Sequence, residues 1–282
     1  MSIIEEAVRK TAERLNRRPP PAEMPARQSR SRRPAPSLAD TSNVRRFQSV
    51  TLDSEVLERN SILPQVADEG ALRAYKILRT RVLRRLETNN WHTFAVTGVT
   101  AGEGKTLTAI NLAMALAQDV STWVFLVDLD LHRPRVGEYL GLGGARTQRG
   151  LSDYLLGDAS LESVTYSPGM ERLAVIPNFQ PVANSSELLT SPRMQDLMRE
   201  LEGERPRRIV VSDMPPVLAS DDVLAFGPQL DGLLLVVAEG TTDRAQLRRA
   251  KEVLAEMNLL GVVLNRSAER NDQAYYSYGR SS

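Results

Sequence analysis

The pattern of hydrophobic and polar positions changes from segment to segment along the chain. From residue 93 onward, short runs that are apolar at nearly every position alternate with segments of helical spacing. The predicted strands span 93–97, 123–128, 173–176, 209–213, 232–238 and 260–264. The predicted helices span 105–118, 191–202, 220–226 and 243–257. Continuously apolar strands separated by helices are typical of a parallel sheet covered on both faces, so the sequence predicts an α/β fold.

The segment before residue 93 has a different organisation. Apolar residues at helical spacing predict a short amphipathic helix near the N-terminus and a second helix at about 68–86. Between them, prolines, serines and arginines replace any periodicity, which is typical of a disordered linker. The chain is therefore divided into a helix, a basic Pro-rich linker, an α/β domain and a flexible Tyr-rich tail, with the bounds 1–15, 16–60, 61–268 and 269–282.

Composition narrows the classes of protein that the chain can represent. Its 282 residues contain no cysteine, which excludes disulfides, thiolate metal sites and thiol nucleophiles. The strongly apolar run at 233–238 is far shorter than the ~20 residues that a membrane-spanning helix needs. The N-terminus lacks the basic and apolar regions of a signal peptide. We therefore expect a cytoplasmic protein.

Charge is distributed unevenly. Residues 1–50, which we call the head, carry 11 Arg and Lys against 5 Asp and Glu, a net charge of +6. Residues 51–282, which we call the body, carry 25 against 30, a net charge of −5. No aromatic residues interleave the arginines of the head to stack on bases. We therefore interpret the head as a solvated tether and expect no binding to nucleic acid.

A glycine-rich loop follows the first predicted strand. The segment 98–106 reads Gly-Val-Thr-Ala-Gly-Glu-Gly-Lys-Thr, and a helix is predicted to start at once. In such a loop the backbone N–H groups surround an anion, Lys105 reaches the terminal phosphates and Thr106 can bind Mg²⁺. The strict pattern requires glycine at position 99, where Val99 stands, and Gly98 lies one residue too early.

Two further strands end in carboxylates. One leads into Asp128 and Asp130, and another leads into Asp213. Ligands of open α/β sheets bind at the carboxyl ends of the strands, so these acids should converge on the phosphate loop. There they could hold a Mg²⁺ shell or accept a proton from an attacking hydroxyl. The alternative for each acid is a structural role as a helix N-cap.

The C-terminal segment concentrates three of the seven tyrosines in four positions, as Tyr275, Tyr276 and Tyr278. They follow a polar run and have little core to join. One interpretation is a tail that presents phenolic hydroxyls, and the other is an adhesive tail that docks on a partner.

Together these features resemble the bacterial tyrosine kinases of polysaccharide export. The loop ending in Lys105-Thr106, the strand into Asp128 and Asp130, and the strand into Asp213 are similar to that family's Walker A, Walker A′ and Walker B motifs. The tyrosine cluster resembles its autophosphorylated tail. The likeness covers about 68–282 and is specific in combination, although partition-type and septum-positioning ATPases share each single motif. The basic, Pro-rich head is most similar to free-standing exopolysaccharide autokinases.

The sequence departs from the family pattern at several positions. The acidic motif usually continues Asp-x-Asp-x-Arg, whereas here His132 holds the fifth position and Arg133 follows, which affects expected subunit contacts more than metal binding. The ring-forming helix usually reads Glu-x-x-Arg-x-x-Arg, whereas here Arg73, Lys76 and Arg79 occupy that spacing. Two further departures, which we expect to leave nucleotide binding intact, are Ala101 and Ser212.

The resemblance implies a P-loop NTPase that binds ATP with Mg²⁺ and transfers the γ-phosphoryl group to tyrosine. It implies Lys105, Asp128 and Asp130 as catalytic residues, with Asp128 as the base toward a tyrosine hydroxyl. Thr106, Asp130 and Asp213 are the expected metal site. The expected nucleotide contacts are Gly102, Glu103, Gly104, Lys105, Thr106, Leu107 and Asn265. Asn265 resembles the family's adenine-side asparagine, and its alternative role is to cap the last strand.

The expected phosphoacceptors are the three tail tyrosines. A membrane chain-length or co-polymerase protein is the expected activator and would recruit the kinase to the inner face of the membrane, and self-association is expected. Two alternatives remain. One is a nucleotide-dependent switch ATPase that acts as a scaffold for a membrane partner, and the other is a DNA-partitioning ATPase. The latter would have a lysine early in the phosphate loop, and this loop has only Lys105.

Overall fold

The computed structural model describes residues 47–63, 65, 68–143, 148–202 and 207–267. The amphipathic helix predicted over 1–15 and the tail predicted over 269–282 lie outside these ranges, and so do Tyr275, Tyr276 and Tyr278. Within the described ranges, no helix combines the length and the apolar character required to cross a bilayer.

An eight-stranded sheet forms the centre of the described structure. Its strands, numbered along the chain, are β1 (Gln48–Ser49), β2 (Thr93–Gly98), β3 (Thr122–Asp128), β4 (Tyr166–Ser167), β5 (Leu173–Ile176), β6 (Arg207–Asp213), β7 (Gly232–Ala238) and β8 (Leu259–Asn265). Their order in space is β1-β4-β5-β3-β6-β2-β7-β8. All neighbouring strands are parallel except β4 and β5. The predicted mostly parallel sheet is confirmed.

Helices connect and cover the strands. They are α1 (Ser54–Arg59), α2 (Glu69–Asn89), α3 (Lys105–Leu116), α4 (Val136–Tyr139), α5 (Leu151–Leu156), α6 (Leu161–Val164), α7 (Ser185–Leu189), α8 (Pro192–Leu201), α9 (Asp222–Phe226) and α10 (Arg244–Val253), with a 3₁₀ turn at Gly227–Gln229. Six strands and five helices correspond to the predicted segments. The predicted helix at 243–257 is shorter in the structure and ends at Val253.

Both faces of the sheet are buried, as the continuously apolar strands predict. Successive side chains of a strand point to opposite faces, so Val124 and Leu126 of β3 pack with α2 and α3, while Phe125 and Val127 pack with α5 and α8. Helix α3 is buried around most of its circumference. Helices α1 to α4 thus contribute to one apolar cluster, and α5 to α10 contribute to the other.

The predicted linker at 16–60 requires a correction at its C-terminal end. Residues 48 and 49 form β1, and the backbone N–H groups of Gln48 and Val50 donate hydrogen bonds to the carbonyl oxygens of Thr165 and Ser167 at β4. Residues 54–59 form α1, which buries Leu57. The reason is that this end of the linker carries apolar side chains that pack on the domain, unlike the Pro-rich stretch before it.

Asn111, in the middle of α3, attaches the segment after α1 to the domain. Its side-chain oxygen accepts a hydrogen bond from the backbone N–H of Leu63 at 2.8 Å, and its side-chain nitrogen donates to the carbonyl oxygen of Ser61 at 3.0 Å. The intervening Ile62 is fully buried. A polar residue inside an otherwise apolar helix is tolerated here because both ends of its amide are paired.

The substitution Asn111→Ala should lower the free energy of unfolding by about 1–3 kcal/mol, because it leaves the buried N–H of Leu63 without a partner and removes the hydrogen bond to the carbonyl of Ser61. Urea denaturation followed by circular dichroism measures this. Asn89→Ala, at an exposed helix position, is the matched control and should change stability by less than ~0.5 kcal/mol. Equal stability of the two variants would contradict the proposed anchoring.

Candidate functional site

The phosphate loop joins β2 to α3. Gly102 and Gly104 have φ angles of 86° and 89°, in the left-handed region that glycine adopts without strain. Helix α3 begins at Lys105 directly after the loop. The first N–H groups of a helix have no partner within it, and the helix dipole is positive at this end, so the loop and helix form an anion-binding site.

The structure explains why glycine stands at 98 and valine at 99. Val99 is fully buried and belongs to the apolar core. A Cβ atom on Gly98 would lie 2.6 Å from a carboxylate oxygen of Glu103, so this position requires glycine. Glycine at 98, one residue before the position in the strict pattern, therefore leaves room for the Glu103 carboxylate to approach the loop backbone.

The side chain of Glu103 folds back into the loop instead of pointing toward a phosphate position. Its Oε2 accepts hydrogen bonds from the N–H groups of Val99 and Thr100. Its Oε1 accepts hydrogen bonds from the hydroxyls of Thr100 and Thr242. Glu103 was predicted as a nucleotide contact, and in this structure its carboxylate organises the loop.

Strand register brings the predicted acids together. Asp128, the last residue of β3, lies opposite Asp213, the last residue of β6. Lys105 Nζ lies 2.7 Å from Asp130 Oδ2 and 3.5 Å from Asp213 Oδ1. Thr106 Oγ1 donates a hydrogen bond of 2.7 Å to Asp213 Oδ2. These five residues form one cluster beside the phosphate loop.

The two oxygens of Asp128 have different surroundings. Oδ2 accepts hydrogen bonds from the backbone N–H groups of Arg135 and Val136 at 3.1 and 3.0 Å, at the start of α4. Oδ1 is buried and has no hydrogen-bond partner among the described residues. Asp128 therefore caps a short helix with one oxygen and retains the other for a further interaction.

Burial and mutual repulsion determine the protonation of the cluster. Burial raises the pKa of Asp128 well above its usual range, and the charge of Asp213 raises it further. Burial also raises the pKa of Asp213, against the opposing effect of the Lys105 ammonium. Burial alone would lower the pKa of Lys105, but Asp213 and Asp130 outweigh it and raise the pKa. Lys105 thus stays charged beside Asp128 and Asp213, whose pKa values are both raised.

The donor set fits a hard cation with few protein ligands. Thr106 and Asp213 offer adjacent hydroxyl and carboxylate oxygens, and the buried Asp213 Oδ1 pairs with the Lys105 ammonium at 3.5 Å but accepts no closer hydrogen bond from the described residues. Among the described residues, no group of three or more His, Cys, Asp or Glu side chains has the arrangement of a metal site. Mg²⁺ commonly binds through one or two carboxylates and completes its shell with phosphates and water. The residues fit that mode.

Asn265, at the end of β8, contacts the loop from the other side of the site. Its Nδ2 donates a hydrogen bond of 2.8 Å to the Glu103 carbonyl oxygen, and its Oδ1 accepts from the N–H of Arg266 at 2.9 Å. A Cβ on Gly104 would lie 2.2 Å from this Nδ2, so the contact requires glycine there. Asn265 thus clamps the loop in this structure, and its predicted adenine contact stays a prediction.

His132, which occupies the family's arginine position, is held by two residues outside the predicted motifs. Its Nε2 lies 2.8 Å from the hydroxyl oxygen of Ser185, and this hydroxyl donates to Asp222 Oδ1 at 2.7 Å. Asp222 is fully buried. The cluster ties the loops after β3, β5 and β6 to one another.

Sequence patterns did not single out Ser185, Asp222 or Thr242. Each belongs to a connection that leaves the carboxyl end of a strand, which is where the ligands of open α/β sheets bind. Applying that rule to every strand, rather than to strands ending in acids, would have found them.

Comparison with known proteins assigns the fold family. Residues 94–279 match the family described as the CobQ/CobB/MinD/ParA nucleotide binding domain. The solved kinase domain of Escherichia coli tyrosine kinase ETK superimposes with a TM-score of 0.66 at 27% identity, covering 83% of this chain and 94% of that domain.

Two curated relatives are similar in sequence. Tyrosine-protein kinase YwqD of Bacillus subtilis is 32% identical over 207 residues, which cover 73% of this chain and 85% of YwqD. Tyrosine-protein kinase etk of Escherichia coli K12 is 33% identical over 210 residues, which cover 73% of this chain. The chain thus spans most of YwqD but only 28% of the length of etk.

Asp128→Asn should stabilise the protein at pH 8. A carboxyl whose pKa is raised by folding favours the folded state below its unfolded pKa, and this contribution is lost as the pH rises. The ionised acid therefore costs stability at high pH, whereas the neutral amide does not. The difference in unfolding free energy between variant and wild type should shrink as the pH falls toward 4. Urea denaturation across this range measures it.

The exposed substitution Asp158→Asn is the control for this experiment and should follow the wild-type curve at every pH. If Asp128→Asn were destabilising by the same amount at pH 8 and pH 4, the role assigned to buried charge would be wrong.

Proposed function

We propose that the chain is an ATP-dependent tyrosine autokinase, because it belongs to the bacterial tyrosine-protein kinases within the CobQ/CobB/MinD/ParA nucleotide-binding family. It transfers the γ-phosphoryl group of ATP to tyrosines of its own tail or of a neighbouring copy. The observation that carries the proposal is the cluster of Lys105, Thr106 and three aspartates beside the phosphate loop.

The chemistry requires positioning and charge neutralisation more than covalent assistance. The bond between the γ-phosphorus and the β,γ-bridging oxygen breaks, and a bond from the tyrosine oxygen to that phosphorus forms. The electron pair of the broken bond leaves with ADP. The loop amides, the N-terminus of α3 and the Lys105 ammonium stabilise the negative charge on the phosphates.

The phenolic proton goes to a carboxylate, and Asp128 is the proposed acceptor. Asp130 already pairs with Lys105 at 2.7 Å and accepts the N–H of Arg133, whereas one oxygen of Asp128 has no partner. The raised pKa of Asp128 means that its ionised carboxylate accepts a proton more readily than an ordinary carboxylate does.

Mg²⁺ would supply further charge neutralisation at the β- and γ-phosphates when bound. The residues proposed to hold it are Thr106 and Asp213, with Asp130 in the surrounding shell. The Thr106 hydroxyl and the Asp213 carboxylate are already adjacent, which supports this assignment.

Tyr275, Tyr276 and Tyr278 are the proposed acceptors. Tyrosines of the domain are less suited: Tyr166 is buried and its hydroxyl donates to the Arg149 carbonyl, and burial raises the pKa of Tyr75. Tyr275 lies ten positions after Asn265. Such a segment spans at most ~36 Å when extended, which supports transfer to the site of a neighbouring copy.

The biological role that we propose is control of exopolysaccharide polymerisation and export. A separate membrane chain-length or co-polymerase protein would activate the kinase and bring it from the cytoplasm to the inner face of the membrane. The charge of −5 on residues 51–282 supports recruitment by protein contacts, because anionic lipid repels it.

The test of the kinase proposal is the intact mass of the full chain after incubation with ATP and Mg²⁺. Wild type should gain mass in steps of one phosphate. The triple substitution of Tyr275, Tyr276 and Tyr278 to Phe should remove nearly all of this gain and leave ATP binding unchanged. Lys105→Met should remove it by impairing the active site, with a rate loss of ~10²-fold or more.

The matched control carries the same number of changes at the domain positions Tyr139, Tyr154 and Tyr166, each to Phe, and should still gain phosphate. ATP hydrolysis without any phosphotyrosine, at high protein concentration, would contradict the kinase proposal and favour a nucleotide-dependent switch.

The recruitment proposal predicts weak binding to lipid alone. The purified 282-residue chain should stay with the bulk phase when floated with phosphatidylserine-containing vesicles at physiological salt, because only the +6 head is attracted. Neutral phosphatidylcholine vesicles are the control. Firm binding to the anionic vesicles in the absence of any other protein would overturn it.

A further inference from the structure

A carboxylate lies inside the loop that is proposed to bind phosphates. Glu103 is 1% exposed and sits between the glycines of the loop. A negative charge at this place would repel a triphosphate unless nearby dipoles offset it. The partners of this carboxylate are therefore important for the affinity of the site.

Hydrogen bonds from four groups surround the Glu103 carboxylate. Three come from within the loop: the N–H groups of Val99 and Thr100 and the Thr100 hydroxyl, the last at 3.2 Å. The fourth is the hydroxyl of Thr242, in the connection from β7 to α10. Thr242 lies 139 positions away in the chain. It is the one partner that ties the carboxylate to another part of the sheet.

Thr242 is itself fixed by β7. Its Oγ1 accepts a hydrogen bond of 3.0 Å from the N–H of Ala238, the last residue of β7. The hydroxyl proton is directed to Glu103 Oε1, because a carboxylate oxygen can only accept a hydrogen bond. Its backbone N–H also bonds the Ala238 carbonyl at 3.0 Å. The strand end and the tight turn hold the hydroxyl in place.

We propose that Thr242 is a positioning residue for the phosphate loop and acts through Glu103. The inference rests on the proposed nucleotide-binding function and adds a residue to that site. Thr242 keeps the Glu103 carboxylate turned into the loop, where it binds the amides of residues 99 and 100. The amides at the start of α3 then remain available for phosphate.

Loss of this hydroxyl leaves Oε1 with only the weaker Thr100 contact. The carboxylate then has other orientations available, including ones nearer to the phosphate position or to the Lys105 ammonium. Only a fraction of molecules would hold the loop ready for nucleotide, and the apparent affinity falls by that fraction.

The experiment measures ADP binding to the full chain by calorimetry in the presence of Mg²⁺. Thr242→Val preserves shape and removes the hydroxyl, and it should weaken ADP binding roughly tenfold, since the lost hydrogen bond goes to a charged group. Thr242→Ser restores the hydroxyl and should recover wild-type affinity. Thr241→Val, at the exposed neighbouring position, is the matched control and should bind like wild type.

A double-mutant cycle with Glu103→Gln separates positioning from general stability. If Thr242 acts through Glu103, Thr242→Val should weaken ADP binding much less in the Glu103→Gln background than in wild type. Kinetically, the KM for ATP should rise while kcat changes little, because the ATP complex and the transition state both lose the same contribution from the ordered phosphate loop.

The outcomes distinguish this inference from the proposed function. If wild type failed to bind ADP, the proposed function would be wrong. If wild type bound ADP and Thr242→Val bound it equally well, or if the effects of the two substitutions were additive, the positioning role would be wrong. Failure of Thr242→Ser to rescue a weakened Thr242→Val would also overturn it.

Discussion

The parallel pairing of β3, β6 and β2 is the constraint on which the site depends. It places Asp128 opposite Asp213 and Asp213 opposite Val96, two residues before the phosphate loop. Three buried carboxylates consequently surround a single ammonium. The cluster is short of positive charge, and burial makes that shortage costly. Binding of a cation together with its anion would add the positive charge that the cluster lacks and so relieve this cost.

The phosphate loop is stabilised from outside as well as by its own turn. Its glycines permit the backbone path, but two distant side chains hold it: Thr242 contacts the Glu103 carboxylate, and Asn265 contacts the Glu103 carbonyl. Both lie on the same side of β2, because Thr242 follows β7 and Asn265 ends β8. The acids of the cluster follow or end the strands on the opposite side, β3 and β6. The loop therefore lies between the two side chains that hold it, on the β7 and β8 side, and the acids, on the β3 and β6 side.

The sequence predicted those strands and helices whose apolar residues recur with a regular period, and it predicted the acids that follow or end two of the strands. The long strands and α2, α3, α8 and α10 are regular enough for the apolar pattern to reveal them, and the strand-end rule located Asp128, Asp130 and Asp213. Elements such as β1, β4 and α4 to α7 are too short to show a period. Contacts such as Thr242 with Glu103 and Ser185 with His132 join distant segments, so they depend on the folded topology and leave no local pattern.

The contact between Asn265 and Glu103 also has a consequence for the order of folding. It joins residues that are 162 positions apart, and Asn265 ends the last described strand. The entropy lost in closing a loop grows with its length, so such a contact is repaid only when the intervening strands already hold the two residues close together. Assembly of the acids at the ends of β3 and β6 therefore precedes closure of the clamp on the phosphate loop.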